Sequence, residues 1–268
     1  MIKAAVLGSP ISHSLSPLLH NSAYSFLNLQ GHYESIEVKA DELANFLARV
    51  GKVEWAGFSL TMPLKEFVIP LADSVEERSA RITSANTLIF ESEKSYAFSS
   101  DLLAFERLLA DTHCERVAIL GGGGTARAAL GALDGRAKKI DILVRDDKRR
   151  SALQACVRKT EVELRDFHTP LVNYDLVIST VPIGAADSLV TAEILPQGTL
   201  FEVLYHPWPT KLSSLWESAG LPLFSGFQLL VEQALDQIRV MTQMDFDYGQ
   251  MRAHLLNAVN LERSSDSI

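Results

Sequence analysis

VAILGGGGTARAAL, Val117 to Leu130, runs from four apolar residues through four glycines into an alanine-rich segment. A short apolar run closed by glycine reads as a buried strand, and the alanines and leucine that follow read as a helix. Gly121, Gly123 and Ala126 fit G-x-G-x-x-A at the strand-to-helix turn. Glycine permits the tight turn and lets backbone N–H groups approach a pyrophosphate, and the helix N-terminus attracts the anion. Such a turn alone is a weak signal. Here KIDILV (139–144) follows at βαβ spacing, which selects a dinucleotide-binding unit.

The end of that next strand separates NAD from NADP. NAD folds place an acidic residue there to accept from the ribose 2′-OH. This chain has LVRDDKRR instead, with Arg145 at that point and Arg149 four residues on. Two guanidiniums one helical turn apart can grip a 2′-phosphate, so NADP(H) is the favoured cofactor. Asp146 and Asp147 stand where they can neutralise these arginines, and a solvated helix start is the plain alternative for Arg145. STVPIG (179–184) follows another apolar strand and suits a loop beside the nicotinamide.

Outward from this unit, strands and helices keep alternating. IKAAVLG is a buried strand ending in Gly8, and SPLLHNSAYSFLNL a helix with Ser16 as N-cap and Pro17 at its first position. YESIEV and WAGFSL read as strands around the amphipathic helix ADELANFLARV. Pro63 ends the third strand and starts a helix that carries Lys65 on its first turn. SDLLAFERLLADT (100–112) reads as a helix capped by Ser100 or Asp101 that joins two domains, and DKRRSALQACV as a further helix. FQLLVEQALDQIRVMT and DYGQMRAHLLNAV are helical, and the polar LERSSDSI frays. The pattern predicts an α/β protein with mostly parallel sheets.

Composition narrows the function classes. With 47% hydrophobic and 22% charged residues, the chain has the balance of a soluble globular protein. No apolar run reaches a membrane span, and the N-terminal run is too short for a signal peptide. A net charge of −8 speaks against a nucleic-acid surface, so an anionic ligand needs local cations or helix N-termini. Cys114 and Cys156 are the only cysteines and lack metal spacing, which fits a reducing cytoplasm and no metal site.

Polar clusters recur at expected strand ends of the first half: Ser14 and Ser16; Ser59, Thr61 and Lys65; Asn86 and Thr87; and Asp101. Hydroxyls, an amide, a carboxylate and an ammonium together suit a polyhydroxylated small acid. GSPISHSLSPLLHN, SLTMPLK, SANTL, SSD, GGGGTARA, YHPWPT and GFQLLVEQA occur in the order found in shikimate dehydrogenases, and the chain resembles that family from residue 8 to residue 234. The resemblance implies a substrate domain of 1–100 plus 226–268, completed by the C-terminal helices, and a Rossmann-type NADP domain of 101–225. It implies that Ser14 and Ser16 bind a carboxylate, that Thr61, Asn86 and Gln233 hold hydroxyls with Tyr205 nearby, and that Lys65 and Asp101 are the acid–base pair. Gly121, Gly123, Gly124, Thr125 and Ala126 hold the pyrophosphate in that reading, and Arg145 and Arg149 the 2′-phosphate.

The implied activity is reversible NADPH-dependent reduction of 3-dehydroshikimate to shikimate, in chorismate and aromatic amino-acid biosynthesis, by a cytoplasmic monomer or homodimer. A quinate/shikimate or amino-shikimate dehydrogenase and a non-catalytic nucleotide-binding paralogue are the alternatives. Four positions depart from the family pattern. Ser99 and Ser100 replace Asn-Thr before the aspartate, Ser59 replaces the commoner Asn, and Val144 replaces the Asn often found before the first arginine. Lys65 and Asp101 are intact. His13 and His20, within the opening motif, read as structural hydrogen-bonders, and Trp55 and Trp208 as packing residues.

Overall fold

The computed structural model describes residues 1–91, 93–190 and 196–265, and the chain divides into Met1–Ala104 with Leu230–Ile268, and Phe105–Leu229. The first unit contains β1 (Ile2–Gly8), α1 (Ser16–Phe26), β2 (Gly31–Glu37), α2 (Leu43–Arg49), β3 (Gly57–Leu60), β4 (Ser74–Val75), α3 (Glu77–Ile82), β5 (Thr87–Glu91), β6 (Lys94–Phe98) and the start of α4 (Ser100–Leu108). Its sheet order is β2-β1-β3-β5-β6-β4. Side chains alternate between two cores, as the strand period of two requires. Leu7, Phe58 and Leu88 pack with Trp55 on one face, while Val6, Tyr33 and Ile89 pack with Met241 of the C-terminal region on the other.

One strand runs against the rest. β1 is parallel to β2 and β3, and β4 to β6, but β5 is antiparallel to both β3 and β6. The reversal arises because TLIFESEKSYAF folds as a hairpin, with Glu91 opposite Lys94 and Glu93 at φ 69° in its turn. Antiparallel neighbours need only a tight turn, whereas a parallel pair needs a crossover. The N-terminal end of β5 therefore shares a sheet edge with the C-terminal ends of β3 and β6, where Thr87 pairs with Ser59 and Phe98.

The second unit comprises β7 (Arg116–Leu120), α5 (Gly124–Leu133), β8 (Lys139–Val144), α6 (Arg150–Gln154), β9 (Glu161–Asp166), β10 (Leu176–Ser179), β11 (Thr199–Glu202), α7 (Lys211–Ser218) and β12 (Leu223–Ser225). Every pair in its sheet, β12-β11-β10-β7-β8-β9, is parallel. This is the doubly wound order of dinucleotide-binding folds, with its switch point between β7 and β10. Trp216 fills the core on one face with Leu200 and Tyr174, and its indole N–H donates to the Gly198 carbonyl at 3.3 Å. α8 (Gly226–Thr242) leads back to the first unit and α9 (Tyr248–Ser265) follows it. LERSS thus continues α9 rather than fraying, and the last three residues lie outside the described ones.

Several expected helix boundaries shift for local reasons. α1 starts at Ser16, with Leu15 rather than Ser16 as N-cap, and the Ser14 hydroxyl accepts from the Ser16 N–H at 3.3 Å. Residues 62–71 form successive turns instead of a helix. Pro63 and Pro70 lack the donors a continuous ladder needs, and isolated bonds such as Leu64 N–H to Thr61 and Val68 N–H to Leu64 remain. α4 is capped by Ser99, whose hydroxyl accepts from Leu102 N–H at 3.2 Å, so neither Ser100 nor Asp101 is its cap. No helix among the described residues is long and apolar enough to cross a membrane.

Candidate active site

Lys65 sits in the turns that follow β3, and its carbonyl accepts from Ala85 N–H at 2.9 Å, which ties this loop to the residue before Asn86. Asp101 is the second residue of α4, just beyond β6. The Lys65 ammonium donates to Asp101 Oδ2 at 2.6 Å, and the side chains are only 16% and 6% exposed. Asn86 Nδ2 donates to the other carboxylate oxygen at 3.0 Å. Each oxygen of Asp101 thus has its own donor.

Asn86 precedes β5 and reaches α4 from the shared sheet edge. Its Oδ1 accepts from the N–H groups of Ser100 at 2.7 Å and Asp101 at 3.3 Å, satisfying donors that a helix start leaves open. Its amide nitrogen also lies 2.9 Å from Ser100 Oγ and 3.1 Å from Gln233 Oε1 on α8. Gln233 Nε2 donates to the Leu230 carbonyl at 2.8 Å. Four residues predicted from the sequence, Lys65, Asp101, Asn86 and Gln233, therefore form one hydrogen-bonded cluster.

Gln237, which sequence reasoning passed over, lies beneath it and is 1% exposed. Its Nε2 donates to the Asn86 carbonyl and to Thr87 Oγ1, both at 3.1 Å. Its Oε1 accepts from Ser59 Oγ at 2.8 Å, and Tyr33 OH donates to that same Ser59 hydroxyl at 2.7 Å. His20 Nε2 lies 3.4 Å from Gln237 Oε1, and the imidazole stacks on the Tyr33 ring at 3.9 Å. Burial pushes the His20 pKa down to about 3, so the imidazole is neutral at physiological pH. The available signal was the Gln233–Gln237 spacing, which puts both amides on one helix face among apolar neighbours.

The remaining predicted residues of this half lie along the same strand ends. Ser14 is partly exposed and Ser16 buried at the start of α1. Thr61 N–H donates to the Leu7 carbonyl at 2.9 Å, which stitches the end of β3 to β1. Tyr205 belongs instead to the second unit, in the loop after β11, where its ring lies 5.5 Å from Phe227. Of the two motif histidines, His13 is exposed; Trp208 is half-buried.

In the second unit the glycine turn follows β7. Gly121 has φ +100°, and a Cβ there would meet Thr180 Oγ1 at 2.8 Å, so the turn itself demands glycine. Nothing lies within 4 Å of a Cβ placed on Gly123, the N-cap of α5. The fold's own packing gives no reason for glycine at 123, whereas close approach of a pyrophosphate does. Ala126 is fully buried, Gly124 begins α5 and Thr125 lies on its first turn. Arg145 and Arg149 lie in the loop between β8 and α6, not one turn apart on a helix, because α6 starts only at Arg150. Arg149 Nη1 donates to the Gly122 carbonyl at 3.2 Å, which ties that loop to the glycine turn, and Arg145 is exposed. Asp146 lies 3.9 Å from Lys148, and Asp147 3.7 Å from Arg150.

Residues 6–88 match the family described as shikimate dehydrogenase substrate binding domain. The crystal structure of Mycobacterium tuberculosis shikimate dehydrogenase is 31% identical with a TM-score of 0.83, over 96% of this chain and 99% of that one. The chain belongs to the shikimate dehydrogenase family. Among other shikimate dehydrogenases, the curated Staphylococcus aureus (strain MSSA476) protein named shikimate dehydrogenase (NADP(+)) is 27% identical over 97% of this chain and all of its own length. The Thermus thermophilus shikimate 5-dehydrogenase, solved in complex with NADP(H) and shikimate, is 27% identical with a TM-score of 0.83, over 96% of this chain and all of that one. At three of the four positions where this shikimate dehydrogenase family member departs from the motifs, the new residue is itself bonded: Ser59 to Gln237, Ser100 to the Asn86 cluster, and Ser99 as the cap of α4.

Proposed function

We propose that the protein catalyses the reversible NADPH-dependent reduction of 3-dehydroshikimate to shikimate, and serves aromatic amino-acid biosynthesis. The observation that carries this reading is the convergence of Lys65, Asp101 and Asn86, with Lys65 Nζ held 2.6 Å from Asp101 Oδ2. Relatives that act with NADP(+), or bind shikimate and NADP(H), support the substrate and cofactor. The first unit is the substrate-binding half and the second the nucleotide-binding half. Ser14 and Ser16 at the start of α1 receive the substrate carboxylate, and Thr61, Asn86 and Gln233 its hydroxyls; Tyr205 is a further substrate-binding residue. Cys114 and Cys156 are buried thiols outside any disulfide, which suits a reducing cytoplasm, where the protein acts as a monomer or homodimer.

NADPH, when bound, supplies the hydride. The turn at Gly121–Ala126 fits its pyrophosphate, since Gly123 leaves the approach open, and Arg145 and Arg149 suit its 2′-phosphate. As hydride reaches the substrate carbonyl carbon, negative charge builds on the oxygen and must be stabilised and then protonated. The Lys65 ammonium donates to that oxygen and delivers the proton, while Asp101, fixed by Asn86, holds the ammonium in place. In oxidation the pair takes the hydroxyl proton. Cofactor absorbance, followed with shikimate or quinate and with NADP+ or NAD+, tests the assignment. Turnover confined to shikimate with NADP+ is expected; quinate turnover with NAD+, or no turnover in any combination, would overturn it.

A further inference from the structure

The geometry points to Gln237 as a positioning residue for the reaction, one that sets the Asn86–Asp101–Lys65 chain from beneath; the inference rests on the function proposed above. The orientation of its amide follows from its partners. The Asn86 carbonyl can only accept, so the Gln237 nitrogen must face it, at 3.1 Å. Gln237 Oε1 then faces the Ser59 hydroxyl and His20 Nε2. His20 must accordingly carry its proton on Nε2, and its Nδ1 has no hydrogen-bond partner among the described residues. Burial keeps His20 neutral, so the ring carries a single proton, and the Gln237 oxygen places it on Nε2.

An amide fixed at both ends pins the backbone of Asn86 and, through Thr87 Oγ1, the first residue of β5. The Asn86 side chain, whose position follows its backbone, then holds one oxygen of Asp101 while Lys65 holds the other. Gln237 bonds to Asn86, Thr87, Ser59 and His20 rather than to either member of the acid–base pair. Its effect reaches the chemistry only through Asn86, and this distinguishes it from a general contributor to stability.

Gln237→Met keeps the side-chain length and removes both polar ends. With wild-type activity on shikimate and NADP+ established first, Gln237→Met is expected to lower kcat roughly 10- to 100-fold. KM, and the shikimate Kd measured by calorimetry without cofactor, are expected to rise too, because Asn86 also receives a substrate hydroxyl, but by a smaller factor than kcat falls. Combined with Asn86→Ala, it is expected to lower kcat no further than Asn86→Ala does alone, because the group it positions is gone. Gln237→Glu, which keeps acceptors for Ser59 and His20 but as a carboxylate lacks a donor for the Asn86 carbonyl, is expected to show the same kcat loss. A folded Gln237→Met with wild-type kcat, or losses that multiply with Asn86→Ala, would overturn the proposal. Unfolding of both Gln237 variants would overturn it too, by placing the residue in the fold alone. Absence of activity in the wild-type protein would instead refute the parent reading.

Discussion

Asp101→Asn isolates the carboxylate's role with almost no change of shape. In the wild type, Lys65 Nζ donates to one oxygen at 2.6 Å and Asn86 Nδ2 to the other at 3.0 Å. An amide has only one oxygen, so its NH2 group must face one of those two donors. Either the ammonium or the Asn86 amide then loses its acceptor and meets a donor. A hydrogen bond to a charged group contributes about 1.5–3 kcal/mol. At about 1.4 kcal/mol per factor of ten, losing it from the placement of Lys65 lowers kcat roughly 10- to 150-fold. Lys65→Met, which removes the donor itself, should cost on the order of 10²- to 10⁴-fold. Because the two residues act as a unit, the double variant should fall no lower than Lys65→Met alone. The assay is NADPH formation from shikimate and NADP+ under saturating conditions, with circular dichroism to verify folding. A kcat for Asp101→Asn within about threefold of wild type, or a double variant whose losses multiply, would refute the reasoning.

The two glycines of the nucleotide turn should separate fold from binding. Gly121→Ala forces a methyl group at φ +100° against Thr180, and should cost about 1–3 kcal/mol of stability in a denaturant melt. Gly123→Ala enters open space, should cost about 0.5 kcal/mol at the helix start, and should weaken NADP+ binding on the order of tenfold by calorimetry. Arg145→Ala should raise KM for NADP+ roughly tenfold and leave that for NAD+ unchanged, if the guanidinium meets the 2′-phosphate. For His20, whose folded pKa is lowered to about 3 from 6.5, the unfolded chain binds more protons between those values. Its contribution is therefore full above pH 6.5 and is lost as pH falls through that window, by up to about 1.4 kcal/mol per pH unit. His20→Gln should flatten the acid limb of stability against pH, and an unchanged slope would contradict the assignment.

Legibility in the sequence followed the range of the interactions. The alternation of Ala4, Ala5, Val6 and Leu7 between two cores and the glycine turn before α5 are local patterns, and both are visible in the string of residues. The β5–β6 hairpin was not, because ESEK carries no glycine, asparagine or proline to announce a turn. The helix expected after Pro63 failed for a local reason too, since Pro70 closes the segment from its other end. Lys65 and Asp101 are separated by 36 residues, so only matched motifs could pair them in advance. Gln237 escaped because a glutamine on an amphipathic helix looks the same whether it faces solvent or a buried amide network.

The unread hairpin is what assembles the site. Lys65 follows the C-terminal end of β3, and Asp101 follows the C-terminal end of β6. Asn86 precedes its strand, so it can join them only if β5 runs the other way. β5 has five residues. Were it parallel to its neighbours, Asn86, one residue before the strand, would sit just beyond the opposite sheet edge, displaced by six rises of about 3.3 Å, or roughly 20 Å. An asparagine side chain that now bridges 3.0 Å to Asp101 could not cover that gap. The reversal also aims the Asn86 carbonyl at α8, where Gln237 is positioned to hold it. A single strand direction thus accounts for the meeting of three sequence motifs with a helix drawn from the far end of the chain.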